Sequence, residues 1–379
     1  MPGIYLHIPY CVRKCTYCDF VSAPEDGSLS RYVSALIGEM RIMRDTAAGT
    51  LTYDTVFFGG GTPSLLSGGA MKRILTALRE SFPLTDDAEC SMEANPGTLT
   101  PEKLIGYREA GINRISIGLQ SANDRLLRGI GRIHDRETFL KTVDAARDAG
   151  FDNINADVMH GLPTQTQAEY LETLAVVTGL GLTHISSYAL IVNDDTPLGR
   201  DVKRGRVVLP DADETADMED AGIRFLAEQG YRRYEISNFA RDGRECRHNL
   251  NYWRNGEYLG LGAAAHSAIR DGAWTRFSNV EDRRTYIGRI EGGRRAVAET
   301  LRLQCGEEMF ETVMLGLRLT DGIEKAAFAE RFGVTLFDAY PDAVRELYAR
   351  GWSEETETHF RLNGRGLDLQ NEALLLFLR

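Results

Sequence analysis

Residues 3–18 read GIYLHIPYCVRKCTYC, an apolar strand-like segment followed at once by three closely spaced cysteines. The cysteines are Cys11, Cys15 and Cys18, so the spacing is Cys-x3-Cys-x2-Cys on one short loop that leaves a strand. Three soft thiolates in this arrangement suit an iron–sulfur cluster better than a disulfide. A cubic cluster has four irons, and three thiolates leave one iron without a protein ligand. The sequence therefore predicts a cluster with one iron open for chemistry.

A structural zinc site is the main alternative for these cysteines, and it would need a fourth cysteine or histidine close by. The remaining cysteines, Cys90, Cys246 and Cys305, are scattered along the chain without companion spacing. Because free cysteine is among the most buried residue types, we expect these three residues to be buried thiols.

The composition is that of an ordinary globular protein, with 43% hydrophobic and 26% charged residues in a chain of 379. No apolar run approaches the ~18 residues that a transmembrane helix needs, and we recognise no export signal. Together with reduced thiols, these features lead us to expect a cytoplasmic protein. The net charge of −11 argues against a nucleic-acid partner, because neutralising phosphates requires clustered lysine and arginine.

Strand-like and helix-like segments alternate through the first half of the chain. Six apolar segments have the length and residue types of strands: residues 4–8, 55–58, 89–94, 114–119, 153–157 and 184–188. Between them lie segments with helical periodicity or capping residues: residues 30–44, 70–81, 101–110, 136–149 and 167–179. Repeated strand–helix units predict parallel strands joined by right-handed crossovers, and therefore an open or closed α/β barrel.

Polar residues directly follow these predicted strands. Parallel barrels carry function at the carboxyl ends of their strands, so we expect these residues to converge in space. They are the cysteine loop, the run GGGTP at 59–63, EANP at 93–96, Gln120, Asp157 and Tyr188. Arg132 follows a glycine turn beyond the fourth strand and can reach the same mouth.

The pattern changes near residue 200, where we expect the barrel to end. A charged helical stretch leads into a polar aromatic region, so residues 201–298 are interpreted as a connecting region. From residue 299 the chain predicts helices over 307–319, 324–332 and 336–350, a strand-like stretch at 360–362 and a closing leucine-rich helix. Three helices and a small hairpin indicate a mainly α, winged-helix-like domain over 299–379. A DNA-binding role for this domain lacks the expected stripe of lysine and arginine.

The open iron indicates which small molecule binds to it. An unligated iron can be chelated by an amino and a carboxylate group, which a methionine moiety offers, and electron transfer can then cleave an adjacent sulfonium. We therefore expect S-adenosylmethionine as a cofactor. The glycines at 59–61 allow close backbone approach to the polar end of such a ligand, although glycines at a strand-to-helix turn also serve for steric relief.

Side chains at the predicted mouth supply further partners for this cofactor. Glu93 and Asp157 offer carboxylates to an ammonium group or a ribose, and Arg132 offers a guanidinium to the methionine carboxylate. Gln120 is a ribose partner by the same logic, and Tyr5 and Tyr17 can pack beside the sulfonium or the adenine. Taken alone, each carboxylate could equally form a surface ion pair, and convergence on one mouth favours the ligand role.

Four motifs carry a specific resemblance to a known family. They are Cys-x3-Cys-x-Tyr-Cys at 11–18, GGGTPS at 59–64, GLQS at 118–121 and GLP at 161–163. Over nearly its whole length, the chain resembles the radical S-adenosylmethionine superfamily and, within it, the oxygen-independent coproporphyrinogen III oxidase-like group. The resemblance implies an α/β fold with a partial (β/α)6 TIM-like barrel and a 4Fe-4S cluster on Cys11, Cys15 and Cys18. It also implies S-adenosylmethionine contacts at Tyr5, Gly60, Gly61, Thr62, Glu93, Gln120, Arg132 and Asp157.

Tyr17 matches a position that contacts a second S-adenosylmethionine in the oxidase. Two departures separate this chain from the oxidase itself. The oxidase carries a further cysteine two residues past the third, where this chain has Phe20, and it has a long extension before its cluster loop, where only ten residues precede Cys11 here. Both differences favour the HemW family of heme chaperones, with radical oxidation of coproporphyrinogen III as the alternative, so the sequence leaves open whether the protein is an enzyme.

The segment CRHNLNYW at 246–253 resembles the His-Asn-x-x-Tyr-Trp motif that is associated with heme binding in those chaperones. Imidazole is a normal axial ligand of heme iron, and Tyr252 and Trp253 can pack on a flat macrocycle. We take His248 as the leading ligand candidate, although a histidine among aromatic residues is often a hydrogen-bonded core residue. His266 is the second candidate, and Ser267 departs from the glycine that is common there.

The resemblance also implies partners. A chaperone of this family would bind heme and transfer it to an acceptor hemoprotein, and its cluster would receive electrons from a reductant protein such as a flavodoxin or a ferredoxin. A homodimer is a further expectation.

Overall fold

The computed structural model describes residues 2–378, and its largest element is a twelve-stranded sheet. Six parallel strands form the centre of this sheet and are paired in chain order. They are β1 (Gly3–Ile8), β2 (Tyr53–Gly60), β3 (Leu84–Ala94), β4 (Arg114–Gln120), β5 (Asn153–His160) and β6 (His184–Ala189). Each coincides with a predicted strand. Every residue of β4 is buried, as expected for a parallel strand that is covered on both faces.

Helices follow the strands and cover the outside of the sheet. They are α1 (Leu29–Arg44), α2 (Gly68–Ser81), α3 (Pro101–Ala110), α4 (Asp124–Gly129), α5 (Arg136–Asp148) and α6 (Gln167–Gly179). Local sequence sets their ends: the Thr100 side chain caps the start of α3, and Gly111 ends it in the left-handed region at φ 110°. The predicted α/β barrel is therefore confirmed, and it is an open one because β1 and β6 pair with other strands and not with each other.

Residues 197–302 extend the sheet at both edges. They form α7 (Pro197–Lys203), α8 (Ala212–Glu228), β7 (Arg232–Arg233), β8 (Asn238–Ala240), α9 (Arg247–Trp253), β9 (Tyr258–Leu261), β10 (His266–Asp271), β11 (Ala273–Asn279), α10 (Arg283–Glu291) and β12 (Val297–Arg302). Strand β8 pairs antiparallel with β6, and β9 pairs parallel with β1. These added strands were not predicted from the sequence. The domain limits at 200 and 298 stay a prediction.

The last part of the chain has its own core, which includes Val313, Leu347 and Phe360. It contains α11 (Cys305–Gly316), β13 (Ile323–Glu324), α12 (Lys325–Phe332), α13 (Leu336–Ala339), α14 (Pro341–Arg350), β14 (Ser353–Glu355), β15 (His359–Leu362), α15 (Gly364–Asp368) and α16 (Gln370–Leu375). The strands form an antiparallel sheet in the order β13-β15-β14. Helices with a small antiparallel sheet match the predicted winged-helix-like arrangement.

Two predictions about this last part were wrong. The single helix over 336–350 is two helices, because Pro341 begins the second one and cannot continue the hydrogen-bonding of the first. Cys305 is exposed as the first residue of α11, whereas Cys90 and Cys246 are buried as expected. Within residues 2–378, none of the helices combines the length and the apolar character that crossing a bilayer requires.

A buried carboxyl group ties α1 to the added strands. Glu39 is 3% exposed and accepts hydrogen bonds from the Gly262 N–H at 2.7 Å, the Asn279 side-chain amide at 2.6 Å and the Tyr286 hydroxyl at 2.7 Å. Burial raises the pKa of Glu39 to about 7, although these three donors lower it. The folded protein therefore holds a proton on Glu39 at pH values where the unfolded chain has released it.

This raised pKa predicts a specific pH dependence of stability. Between the ordinary value of 4.5 and about 7, the folded state binds more protons than the unfolded state, so Glu39 makes the protein less stable as pH rises. Glu39→Gln removes this contribution. The free energy of unfolding of the variant relative to the natural protein should therefore rise with pH across this window, by on the order of 3 kcal/mol.

Urea unfolding at pH 5 and pH 8 checks this difference. Glu80→Gln removes an exposed carboxyl group and is the matched control for the substitution. If the difference in free energy of unfolding between Glu39→Gln and the natural protein were the same at both pH values, it would contradict the raised pKa of Glu39.

Candidate functional site

The cysteine loop begins where β1 ends, and hydrogen bonds hold it against the barrel. His7 donates from Nε2 to the Val21 carbonyl at 2.9 Å and accepts at Nδ1 from the Tyr5 hydroxyl at 3.0 Å. The Glu25 N–H donates to the Cys11 carbonyl at 3.3 Å, and the Thr16 N–H donates to the carbonyl of residue 130 at 3.2 Å. The loop is therefore held from both β1 and the segment that follows α4.

The three cysteines of this loop line one cavity at the barrel mouth. Cys11 is buried, and Cys15 and Cys18 are half-buried. Burial raises the pKa of the Cys18 thiol, and the neighbouring thiols Cys15 and Cys11 also raise it. Among residues 2–378 no three His, Cys, Asp or Glu side chains have the arrangement that a single metal ion needs. That finding concerns one ion, whereas a cubic cluster takes each thiolate on a different iron.

The mouth cavity has a volume of about 430 Å³ and contains most of the residues that the sequence analysis selected. Its lining includes Cys11, Cys15, Tyr17, Cys18, Gly60, Gly61, Thr62, Glu93, Gln120, Arg132 and Asp157. Tyr5, His248 and His266 are not on this cavity. The expected convergence of strand-end residues is therefore observed, while the ligand role of each residue stays a prediction.

The glycines that end β2 are required by close packing. A Cβ atom on Gly61 would lie 2.5 Å from the Tyr10 carbonyl oxygen, and one on Gly60 would lie 2.5 Å from the His7 ring. Gly60 also has φ 107°, where only glycine is unstrained. The Gly61 N–H donates to the carbonyl of Ile8 at 2.9 Å. The glycines thus bring the β2 backbone against β1 and the cysteine loop, and they leave backbone facing the cavity.

Two carboxyl groups face the cavity from strands β3 and β5, which lie on either side of β4. Burial raises the pKa of Glu93 to about 8, with the charge of Asp157 adding to the effect and the Gly60 N–H opposing it. Asp157 accepts hydrogen bonds from the Asn155 amide at 2.7 Å and the Ser116 hydroxyl at 3.1 Å. Asp157 is therefore fixed by its neighbours. Glu93 has a raised pKa and can pair with a cation that enters the cavity.

Arg132 supplies positive charge beside the cysteines. Its Nη2 donates to the Gly118 carbonyl at 2.5 Å, its Nη1 lies 3.7 Å from the Cys15 sulfur, and its buried Nε has no partner. Gly118 makes this approach possible, since a Cβ there would lie 2.5 Å from Arg132 Nη2. A buried guanidinium with an unused donor fits an anionic group in the cavity.

Gln120 has a backbone conformation that is unusual for its residue type. Its φ is 70°, and the pairing register between β4 and β5 shifts beside it. The Tyr188 hydroxyl donates to the Gln120 side-chain oxygen at 3.1 Å. Backbone strain of this kind persists where the surrounding structure holds it in place, and it is common at binding sites.

Tyr5 lies on a second cavity inside the barrel, which we call the lumen cavity, with a volume of about 260 Å³. Its lining also includes Phe20, Gly60, Glu93 and Asp157, which the mouth cavity shares. The two cavities therefore adjoin. Gly60 and Glu93 lie between Tyr5 and the cysteines. Tyr17 instead packs in a small apolar cluster with Met159 and Tyr188 at the rim.

Helix α9 contains the His-Asn-x-x-Tyr-Trp segment and divides it between two cavities. His248, Asn249 and Tyr252 line the lumen cavity, whereas Trp253 lines a crevice on the other side of the helix. His248 is 1% exposed, and its ring nitrogens are hydrogen-bonded to Thr55 at 2.8 Å and to Tyr252 at 2.9 Å. Burial lowers the pKa of His248 to about 3. In this conformation neither nitrogen of His248 is free for iron, and His248 and Trp253 line different cavities.

His266 is exposed at the start of β10, and no hydrogen bond of its ring is present within the described residues. Arg114 was not predicted from the sequence as a site residue, but it is 2% exposed and lines the lumen cavity with an unpartnered Nε. Arg114 begins β4, at the opposite end of the strand from the mouth. A charged residue inside an apolar run was the signal that could have found it.

Comparisons with known proteins agree with this geometry. The sequence model described as Radical SAM superfamily matches residues 5–177, and the model described as HemN C-terminal domain matches residues 294–369. The solved structure of coproporphyrinogen III oxidase (HemN) from Escherichia coli, described as a radical SAM enzyme, covers 99% of this chain and 90% of its own, with a TM-score of 0.84. At 24% identity, this likeness shows a shared fold.

Curated relatives match over the full length of the chain. The heme chaperone HemW of Bacillus subtilis is 36% identical, and the match covers 100% of this chain and 99% of the relative. The heme chaperone HemW of Escherichia coli is 37% identical, with 99% of this chain and 98% of the relative covered. The protein therefore belongs to the radical SAM superfamily and, within it, to the family of the heme chaperone HemW.

Proposed function

We propose that the protein binds heme and transfers it to an acceptor hemoprotein, and that it carries a 4Fe-4S cluster and S-adenosylmethionine at the barrel mouth. The observation that carries this proposal is the match to heme chaperones at 36–37% identity across both the barrel and the C-terminal domain. A match confined to the barrel would support only radical chemistry. The C-terminal domain is part of the similarity and is therefore part of the proposal.

In this proposal Cys11, Cys15 and Cys18 hold the cluster, because they are the three thiols of the mouth cavity. When bound, the cluster supplies an electron to S-adenosylmethionine through its open iron. Glu93 pairs with the ammonium group of the methionine moiety, and Arg132 pairs with the carboxylate. These assignments are supported by the place of Glu93 on the lining of the mouth cavity and by the unused Nε of Arg132. The remaining cofactor contacts are Tyr5, Tyr17, Gly60, Gly61, Thr62, Gln120 and Asp157.

Radical oxidation of coproporphyrinogen III is the alternative function. The fold likeness to the oxidase over 99% of this chain favours it. Against it stands Phe20, which replaces the fourth cysteine of the oxidase-type loop, is 63% exposed and lines the mouth cavity. A phenylalanine ring cannot supply the thiol that the oxidase carries at this position, and we therefore favour the chaperone.

The cluster assignment predicts the effect of removing single cysteines. Anaerobically reconstituted natural protein should contain about four irons and four sulfides per chain. Cys15→Ser should lose most of this content, because the remaining two thiolates cannot hold the cluster firmly. Iron and sulfide analysis checks this. Cys305→Ser is the matched control, since Cys305 is exposed in the C-terminal domain, and it should keep full content. Equal loss in both variants would count against the mouth as the cluster site.

The chaperone function predicts heme binding without porphyrin chemistry. The natural protein should bind about one heme per chain, as is usual for a dedicated cofactor pocket. Cluster-replete protein with S-adenosylmethionine and reductant should leave coproporphyrinogen III unchanged. Absorbance titration with heme and chromatography of the porphyrins measure the two properties on one sample. Formation of vinyl products would show that the oxidase alternative is correct.

The surface around the mouth supports a protein as electron donor. Val12, Ile133 and Ile191 are exposed at its rim, in addition to Phe20. Arg13 and Lys14 are exposed on the cysteine loop, although the whole chain has a net charge of −11. Apolar contact area with positive charge next to the redox site suits an acidic reductant of the flavodoxin or ferredoxin type.

This surface predicts that reversing a positive charge at the rim slows reduction of the cluster by an acidic donor protein. Lys14→Glu should slow cluster reduction by a flavodoxin about threefold to tenfold at low salt, because attraction steers the encounter. The difference should vanish at high salt, where charges are screened. Arg345→Glu makes the same charge change on the exposed face of α14 and should have little effect. Stopped-flow absorbance at the cluster measures the rates, with dithionite as a reductant that should not distinguish the variants. Equal slowing by both substitutions would refute docking at the rim.

A further inference from the structure

The lumen cavity contains a cationic side chain that the proposed function does not use. Arg114 is the first residue of β4, at the end of the strand away from the mouth, and it is 2% exposed. Within residues 2–378 its guanidinium forms neither a hydrogen bond nor an ion pair, and its Nε is buried without a partner. A guanidinium has five N–H donors, and buried donors without acceptors cost free energy. These donors therefore favour a ligand with acceptor atoms in the lumen.

The carboxylate behind Arg114 is already engaged by other groups. Glu89 acts on Arg114 through its charge, but the two side chains form no ion pair within the described residues. Glu89 instead accepts hydrogen bonds from the Arg247 N–H at 3.3 Å and from the Cys246 thiol at 3.6 Å. The guanidinium therefore keeps its donors for the lumen.

The carboxyl groups of the lumen lie nearer to the mouth than Arg114 does. Asp157 pairs in register with Gly118, four residues beyond Arg114 on β4, which is about 13 Å of strand. Glu93 pairs in register with Ser116, between these two levels. Neither carboxyl group forms an ion pair with Arg114 in the described part of the chain. The end of the lumen away from the mouth is therefore cationic.

Aromatic rings form another part of the lumen lining. The rings of Tyr5 and Phe57 are stacked, with 6.4 Å between their centroids, and both residues line the lumen cavity. The volume of about 260 Å³ is below the range of drug-sized ligand pockets, ~300–1,000 Å³. A small molecule with one anionic group and a short apolar chain matches this size and lining.

We propose that the lumen cavity binds a small monocarboxylate, with its carboxylate on Arg114 and its chain against Tyr5 and Phe57. A planar guanidinium can donate two parallel hydrogen bonds to the two oxygens of a carboxylate. A dianion such as phosphate fits less well, because a single guanidinium leaves one of its charges uncompensated in a buried site. This inference goes beyond the transfer of heme and does not rest on it. The ligand lies next to the mouth cavity, since Glu93 lines both cavities.

Equilibrium dialysis of the full-length chain with carbon-14-labelled butyrate tests this site. The natural protein should retain about one butyrate per chain. Arg114→Met should weaken binding about tenfold or more, because a charge-assisted pair is lost. Ser186→Leu keeps Arg114 but fills the lumen from β6, and it should weaken binding to a similar extent. Arg345→Met removes an exposed guanidinium on α14 and should bind butyrate like the natural protein.

Competition with unlabelled anions tests the class of ligand. From acetate to butyrate the affinity should rise about fourfold for each added methylene, because each one is buried against the aromatic rings. Phosphate and chloride, compared at equal ionic strength, should displace the label about tenfold less well than butyrate does. Displacement by phosphate as effective as that by butyrate would overturn the assignment to a monocarboxylate.

Thermal unfolding distinguishes a binding role of Arg114 from a structural one. A buried charge without a partner destabilises the protein, so Arg114→Met should unfold at a higher temperature than the natural protein in carboxylate-free buffer. Added butyrate should raise the unfolding temperature of the natural protein and leave that of Arg114→Met unchanged. A rise of the same size in both proteins would show that butyrate acts elsewhere.

The outcomes separate this site from the proposed function. Retention of the label by the natural protein and by Arg345→Met, with its loss in Arg114→Met and Ser186→Leu, supports the lumen site. If Arg114→Met does not fold, Ser186→Leu decides the same point. Undiminished binding in Ser186→Leu, or a natural protein that retains no butyrate, overturns the site and leaves the chaperone function standing.

Discussion

The close approach of two backbones at the barrel mouth is the constraint on which the rest of the site depends. Gly61 lies so near the backbone of Ile8 and Tyr10 that any side chain there would collide with it. This contact fixes the end of β2 against the start of the cysteine loop, and the hydrogen bond from His7 to Val21 fixes the end of that loop. The thiols can share one cavity with the carboxyl groups of β3 and β5 because the loop is held on both sides.

Much of this arrangement could be predicted from the sequence because it follows from local pattern and one topological rule. Apolar runs that alternate with capped helices specify parallel strands, and parallel strands bring their carboxyl ends together. Strands β7 to β12 could not be predicted in the same way, because their pairing depends on contacts far away in sequence. The break at Pro341 was foreseeable from proline chemistry alone. Helical periodicity places His248 and Trp253 more than a quarter turn apart on α9. The sequence does not show which elements pack on each side of this helix, so the two cavities could not be predicted from it.

Three cavities with different chemistry result from this fold. The mouth cavity combines thiols, carboxylates and a guanidinium, and it opens to a rim with exposed apolar and basic residues. The lumen cavity is small and lined by aromatic as well as charged side chains, and the crevice between α9 and the C-terminal domain is lined by aromatic residues and by equal numbers of guanidinium and carboxylate groups. In the proposed function, electrons enter at the mouth.

The central claim is that the mouth holds a cluster whose open iron takes the methionine end of S-adenosylmethionine. Electron-nuclear double resonance on the reduced, cluster-replete protein, with S-adenosylmethionine labelled with nitrogen-15 at its amino group, tests this claim most directly. A hyperfine coupling between the label and the cluster is the predicted result. A sample with a full iron and sulfide content, bound labelled cofactor and no such coupling would contradict it.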